Sequence, residues 1–132
     1  MDLRILEIAS HTENNKVIQN FTHKSKHKNL LCGDEMEISL IVKNNVIKDM
    51  GYQCKSCIYC QASVSLLSSS SINKPVESIR SLLNEIENFF EDNLTNIPKE
   101  WKIFKQIFDK KNISRKDCLL LPFKTVSKAL KL

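Results

Sequence analysis

Met36-Glu37-Ile38-Ser39-Leu40-Ile41-Val42-Lys43-Asn44-Asn45-Val46-Ile47-Lys48-Asp49-Met50-Gly51-Tyr52-Gln53 reads as two strands joined by a turn. Met36, Ile38, Leu40 and Val42 alternate with Glu37, Ser39 and Lys43, and Ile41 alone breaks the rule. Such alternation marks a half-buried strand. Asn44-Asn45 follows, and asparagine tolerates the left-handed backbone of tight hairpin turns. Val46 to Gln53 is then the return strand. Upstream, Thr22 to Asn29 is basic and exposed, an edge strand or a loop. A third strand before Cys32 is therefore open.

Downstream the pattern turns helical. Gln61 to Ser71 mixes Ala62, Val64, Leu66 and Leu67 with serines, and the run Ser68 to Ser71 reads as a weak helix end. Pro75 opens an amphipathic helix, with Val76, Ile79, Leu82, Leu83, Ile86 and Phe89 on one face. Pro98 marks a further start, before Trp101, Phe104, Ile107 and Phe108. A last helix begins at about Leu119 or Pro122 and runs to Leu132. Near the N-terminus, Ile5, Ile8 and Ala9 have the spacing of one helix face. The expected class is α+β: a small antiparallel sheet of about three strands packed against several helices.

Size and charge narrow the functions. The chain has 132 residues and a formal charge of +5. It reads as a single domain over 1–132, large enough for a core without disulfides. No apolar run approaches a membrane span, and charges interrupt Met1 to Glu7 where a secretory signal needs apolar residues. The expected compartment is cytoplasmic. With only Gly33 and Gly51, a glycine-rich phosphate loop is excluded. Residues 99–132 carry ten Lys+Arg against three acids. That basic third reads as solvated helix faces rather than a nucleic-acid surface.

Five cysteines stand out: Cys32, Cys54, Cys57, Cys60 and Cys118. In a reducing compartment such a cluster points to metal or sulfur chemistry. Each sits near an expected element boundary, and a helix N-terminus favours thiolate. Three thiolates and one carboxylate can make a tetrahedral site, and Cys32, Asp34, Cys57 and Cys118 would be such a set. Gly33 would supply the bend that lets Cys32 and Asp34 reach one ion. Cys54-x-x-Cys57-x-x-Cys60 is also compatible with a zinc knuckle or a redox pair, and the extra thiols Cys54 and Cys60 with packing or alternative ligation. His11, His23 and His27 read as surface residues, and Trp101 as core.

Three blocks then resemble the iron–sulfur cluster assembly proteins IscU, SufU and the N-terminal domain of NifU. Asn29-Leu30-Leu31-Cys32-Gly33-Asp34 is similar to that family's N-P-x-C-G-D block. Cys57-Ile58-Tyr59-Cys60-Gln61-Ala62-Ser63 is similar to G-C-x-I-S-x-A-S, and Ser114-Arg115-Lys116-Asp117-Cys118-Leu119 to R-x-K-C-A. Departures are Leu30 for proline, Ser56 for glycine, Cys60 for serine and Asp117 for histidine or lysine. Absence of an L-P-P-V-K motif, and the long interval from Cys57 to Cys118, favour the SufU-like branch.

The resemblance implies roles. Cys32, Asp34, Cys57 and Cys118 would hold Zn2+. Cys32 would accept persulfide sulfur from a pyridoxal-phosphate-dependent cysteine desulfurase of the SufS/NifS type, with Arg115 matching an arginine of the SufU branch. Alternatively Cys32, Cys57 and Cys118 would build a [2Fe–2S] cluster on a scaffold and pass it to apo iron–sulfur proteins or downstream carriers. The chain would be an accessory protein rather than a stand-alone enzyme. Outside the family, a zinc-stabilised nucleic-acid-binding module and a thiol oxidoreductase using Cys54 and Cys57 are the competing classes.

Overall fold

A computed structural model describes residues 3–31, 33–92 and 99–132. Cys32 and Pro98 lie outside the described residues. The element order is α1 (Leu3–Ala9), β1 (His23–Lys28), β2 (Glu35–Lys43), β3 (Val46–Lys55), α2 (Ile58–Ser71), α3 (Val76–Asp92), two 3-10 segments (Lys99–Gln106 and Lys110–Arg115) and α4 (Lys116–Leu130). The strands form one antiparallel sheet in the order β1-β2-β3. The class is α+β, as the sequence predicts.

The hairpin forms where the asparagines put it. Asn44 and Asn45 both take positive φ, 55° and 62°, as a tight turn between twisted strands requires. Met36, Ile38 and Leu40 pair with Cys54, Tyr52 and Met50 on the core face. The irregularity at Ile41 has a physical cause. The register shifts between Ile41 and Val42, where Lys48 is an extra residue on β3. That bulge lets Ile47 and Met50, an odd number of positions apart, both face the core.

Thr22 to Asn29 resolves into an edge strand. Its side chains alternate, with Lys24, Lys26 and Lys28 outward. Lys24 reaches Glu37 at 3.3 Å and Lys28 reaches Glu35 at 3.9 Å. Lysines on an exposed edge discourage strand addition. Lys128 of α4 donates to the carbonyl of Lys26 at 3.0 Å.

Helices α2 and α4 cover the core face of the sheet. Helix α2 ends at Ser71, at the close of the serine run, as the sequence predicts. Ser68 and Ser71 are buried within it, and the Ser68 and Ser69 hydroxyls donate back to the carbonyl of Ser65. Small residues let this central helix sit close to its neighbours, and the hydroxyls tie it to them. Ser63 donates to Leu119 O at 2.6 Å and Ser65 to His11 O at 2.7 Å.

The last helix starts earlier than Leu119. It begins at Lys116 and carries Pro122 inside it. Proline lacks the N–H that would bond the carbonyl four residues back. That carbonyl belongs to Cys118, and the Ser63 hydroxyl bonds the next one along, that of Leu119. Trp101, Phe104 and Phe108 are buried, as the apolar stripe predicts, but the segment that holds Trp101 and Phe104 is 3-10 rather than α. Phe104 and Phe108 meet Phe123 edge-on, with centroids 5.5 and 5.4 Å apart. These contacts pack the middle of α4 against the chain that leads into it. Among the described residues, no helix is long and apolar enough to cross a membrane.

Residues 14–18 wrap the free edge of β3. Asn14 O accepts from Tyr52 N at 3.0 Å, and Lys16 pairs with Asp49 at 3.0 Å. At Gly51 the approach is too close for a side chain: an added Cβ would lie 2.6 Å from Lys16 O and 3.1 Å from Ile18. Gly51→Ala should therefore lower stability by about 1–3 kcal/mol, the range for overpacking. A urea denaturation midpoint equal to that of the parent chain would contradict the close approach.

Candidate metal centre

Three element starts converge at one end of the sheet: the loop into β2, the N-terminus of α2 and the first turn of α4. Asn29 organises the loop. Its amide donates to Asp34 O at 2.8 Å, its carbonyl accepts from Gly33 N at 2.8 Å, and its side-chain oxygen accepts from Leu31 N at 2.9 Å. Gly33 sits at φ 79°, a conformation open to glycine at little cost. Asp34, at the loop's end, then aims its carboxylate at α2. Oδ2 accepts the amide of Cys57 at 3.3 Å.

Cys57 is the N-cap of α2, with extended backbone at φ −72° and ψ 168°. Its carbonyl closes the first turn by accepting from Gln61 N at 3.1 Å, and the Gln61 side chain donates to Ser56 O at 2.9 Å. Cys118, the third residue of α4, is buried beside it. The ligating atoms of Asp34, Cys57 and Cys118 all lie within 4.8 Å of one another. Donors about 2.0–2.3 Å from one tetrahedral zinc ion stand about 3.3–3.8 Å apart. Small side-chain rotations close that gap. Two soft sulfurs and one carboxylate oxygen suit zinc, and the sulfurs also suit iron.

The remaining expected residues divide. Cys32 is outside the described residues, so its part in the set rests on its sequence position, two before Asp34. Arg115 immediately precedes α4, and its guanidinium lies 5.2 Å above the ring of Tyr59 in the first turn of α2. It thus bridges the rim between the two helix starts. Tyr59 went unnoticed in the sequence, because nothing local links it to a residue 56 positions on. No histidine joins the donor group among the described residues. His23 instead shares a hydrogen bond with Thr22 at 2.8 Å.

The extra thiols lie outside that donor group among the described residues. Cys54 is half-buried on β3, opposite Met36. Burial pushes its thiol pKa up, the charges of Asp34 and Cys57 add to this, and the Ser56 hydroxyl offsets part of it. Cys60 is fully buried, and desolvation pushes its thiol pKa far up. Neighbouring Tyr52 is pushed up to about 12, first by burial and then by Cys54 and Glu13. The group of converging donors takes in the sulfurs of Cys57 and Cys118 and neither Cys54 nor Cys60.

The Asp34 bond to Cys57 N satisfies one of the open amides at the start of α2, next to its positive end. Asp34→Ala should cost about 0.5–2 kcal/mol, as loss of a capping acceptor does. Asp34→Asn keeps an acceptor and should recover most of that. Thermal unfolding of the two variants measures the difference, and equal losses would remove the capping role.

Comparison with known proteins agrees with this layout. The model of the family described as "NifU-like N terminal domain" matches residues 2–114, a span that takes in Asp34 and Cys57 and stops short of Cys118. A Thermotoga maritima protein named iron–sulfur cluster assembly scaffold protein IscU is 34% identical, over 96% of this chain and 89% of its own length. An uncharacterized protein of Borreliella burgdorferi is 31% identical, over 97% and 85%. Among solved structures, a NifU-like protein (N-terminal) from Brucella abortus superposes with a TM-score of 0.89 at 21% identity, covering 98% of this chain and 91% of that one. FiSufU of Fervidobacterium islandicum, titled a putative iron–sulfur cluster assembly scaffold protein for the SUF system, gives 0.87 at 23%, covering 98% and 96%. These two share the fold. The family match over most of the chain and the 34% identity to a relative covered nearly end to end establish that this chain belongs to the NifU-like N-terminal domain family.

Proposed function

We propose that this chain serves iron–sulfur cluster assembly, with Cys32, Asp34, Cys57 and Cys118 as its metal site and Cys32 as acceptor of persulfide sulfur. The convergence of Asp34, Cys57 and Cys118 from three separate elements carries the reading. Cys32, two residues before Asp34, supplies the fourth donor. Zinc, when bound, is a Lewis acid that holds such thiols as thiolates.

The chain's own residues do the rest. The N-terminus of α2 stabilises negative charge on Cys57. Asp34 is tied to the Cys57 amide and is the hardest donor of the set, so it is the donor most easily displaced from a soft metal. Sulfur arrives as the persulfide of a pyridoxal-phosphate-dependent cysteine desulfurase of the SufS/NifS type. The Cys32 thiolate attacks the outer sulfur. A new S–S bond forms on Cys32, the old one breaks, and the desulfurase cysteine leaves as thiolate. Arg115, held on Tyr59 at the rim, offers positive charge to an anionic persulfide. Sulfur then passes to apo iron–sulfur proteins or downstream carriers. Thiols with these duties fit the reducing cytoplasm.

A second reading is that the same cysteines collect iron and sulfide into a [2Fe–2S] cluster. The word scaffold in the name of the Thermotoga maritima relative favours it. Protein purified without oxygen separates the two. Zinc near one per chain without sulfide supports the sulfur acceptor; iron with equal labile sulfide and a visible chromophore supports the scaffold. Under the first reading, Cys57→Ser and Cys118→Ser should each weaken zinc binding by about 100-fold or more, since loss of outer partners alone costs about 10–100-fold. Cys54→Ser should leave it unchanged. A chain that takes up neither zinc nor iron and sulfide on reconstitution refutes both.

A further inference from the structure

Cys60 has no part in the proposed metal site, yet it is a thiol fully buried beside it. Cys57 and Cys60 are the N-cap and third residue of α2. The bond from Gln61 N to Cys57 O closes the turn that contains both. Residues three apart on a helix have Cβ atoms about 5–6 Å apart. A disulfide needs Cβ atoms about 3.5–4.5 Å apart and Cα atoms within about 6.8 Å. Little movement of the first turn brings the two sulfurs together. The strand side of the C-x-x-C-x-x-C run is different. Cys54 is still in β3, and strand spacing of about 3.3 Å per residue spreads residues three apart to about 10 Å.

We propose that Cys57 and Cys60 are a dithiol modification site that closes to a disulfide with small disulfides when Cys57 is not held by metal, so that metal and disulfide compete for one sulfur. The inference rests on Cys57 being a ligand. The half-exposed Cys57 is the thiol that an outside disulfide reaches first. It attacks a disulfide RSSR, forms Cys57–S–S–R and releases one RSH. Cys60 then attacks the Cys57 sulfur; the Cys57–Cys60 bond forms, the mixed disulfide breaks, and R leaves as RSH with the Cys60 proton. Two protein thiols lose two electrons, and one RSSR becomes two thiols. Cys60, with no surface exposed, cannot meet RSSR first but can attack from within the helix turn. Closing the bond takes Cys57 out of the group it forms with Asp34 and Cys118.

The test is peptide mapping after incubating the full chain with oxidised glutathione, metal-free and zinc-loaded. Trypsin separates Asp49–Lys55, which holds Cys54, from Ser56–Arg80, which holds Cys57 and Cys60. In metal-free protein the second peptide should be lighter by two hydrogens, with no link to the first. Zinc should suppress the change. Cys60→Ser, or Cys60→Ala should serine disturb the core, should stop at glutathione on Cys57 and still bind zinc in reduced buffer. A Cys54–Cys57 cross-link, or glutathione persisting on Cys57 in the parent chain, overturns the inference. Zinc titration of the reduced chain is read separately. If zinc binds and no Cys57–Cys60 disulfide forms, the dithiol alone fails; if the disulfide forms but zinc does not bind, the metal reading fails and with it the competition.

Discussion

The bond from the Cys57 amide to the Asp34 carboxylate is the constraint on which the site depends. It joins the loop before β2 to the start of α2 and satisfies a helix amide that burial would otherwise leave costly. Once that bond is made, the Cys57 sulfur and the carboxylate are held at one place. Only Cys118 remains to be delivered. The aromatic packing of Phe104, Phe108 and Phe123 does so by packing the middle of α4 against the chain that leads into it. Soft and hard donors are thus collected by a hydrogen bond on one side and by core packing on the other.

The same end of the molecule sorts its thiols by depth. Desolvation pushes the thiol pKa of Cys54 and Cys60 up, while the N-cap position leaves Cys57 half-exposed at the start of a helix. Three cysteines spaced evenly in sequence therefore have three chemical characters. Spacing alone gives no hint of this. The strand-to-helix change between Cys54 and Cys57 makes the difference.

Much of the fold was legible because its signals are local. The alternation of Met36 to Val42, the Asn44-Asn45 turn and the stripe from Val76 to Phe89 each lie within a few turns or pleats of chain. What misled was local too. Pro122 suggested a boundary, yet α4 runs through it. Candidate site residues were legible as chemistry, and Asp34, Cys57 and Cys118 do come together. Tyr59 under Arg115 was not, since that contact exists only after α2 and α4 have met.

The arm over Gly51 has a consequence for how the chain folds. The β2–β3 hairpin joins neighbours in sequence, so its loop-closure cost is small. Residues 14–18 have no surface to rest on until that hairpin and α2 exist, because their contacts are to Asp49, Gly51, Tyr52 and Ser68. The amino-terminal arm, made first on the ribosome, must therefore wait for chain synthesised after it. Until then the outer edge of β3 is a bare strand edge, and the growing chain is most open to misassociation in that interval.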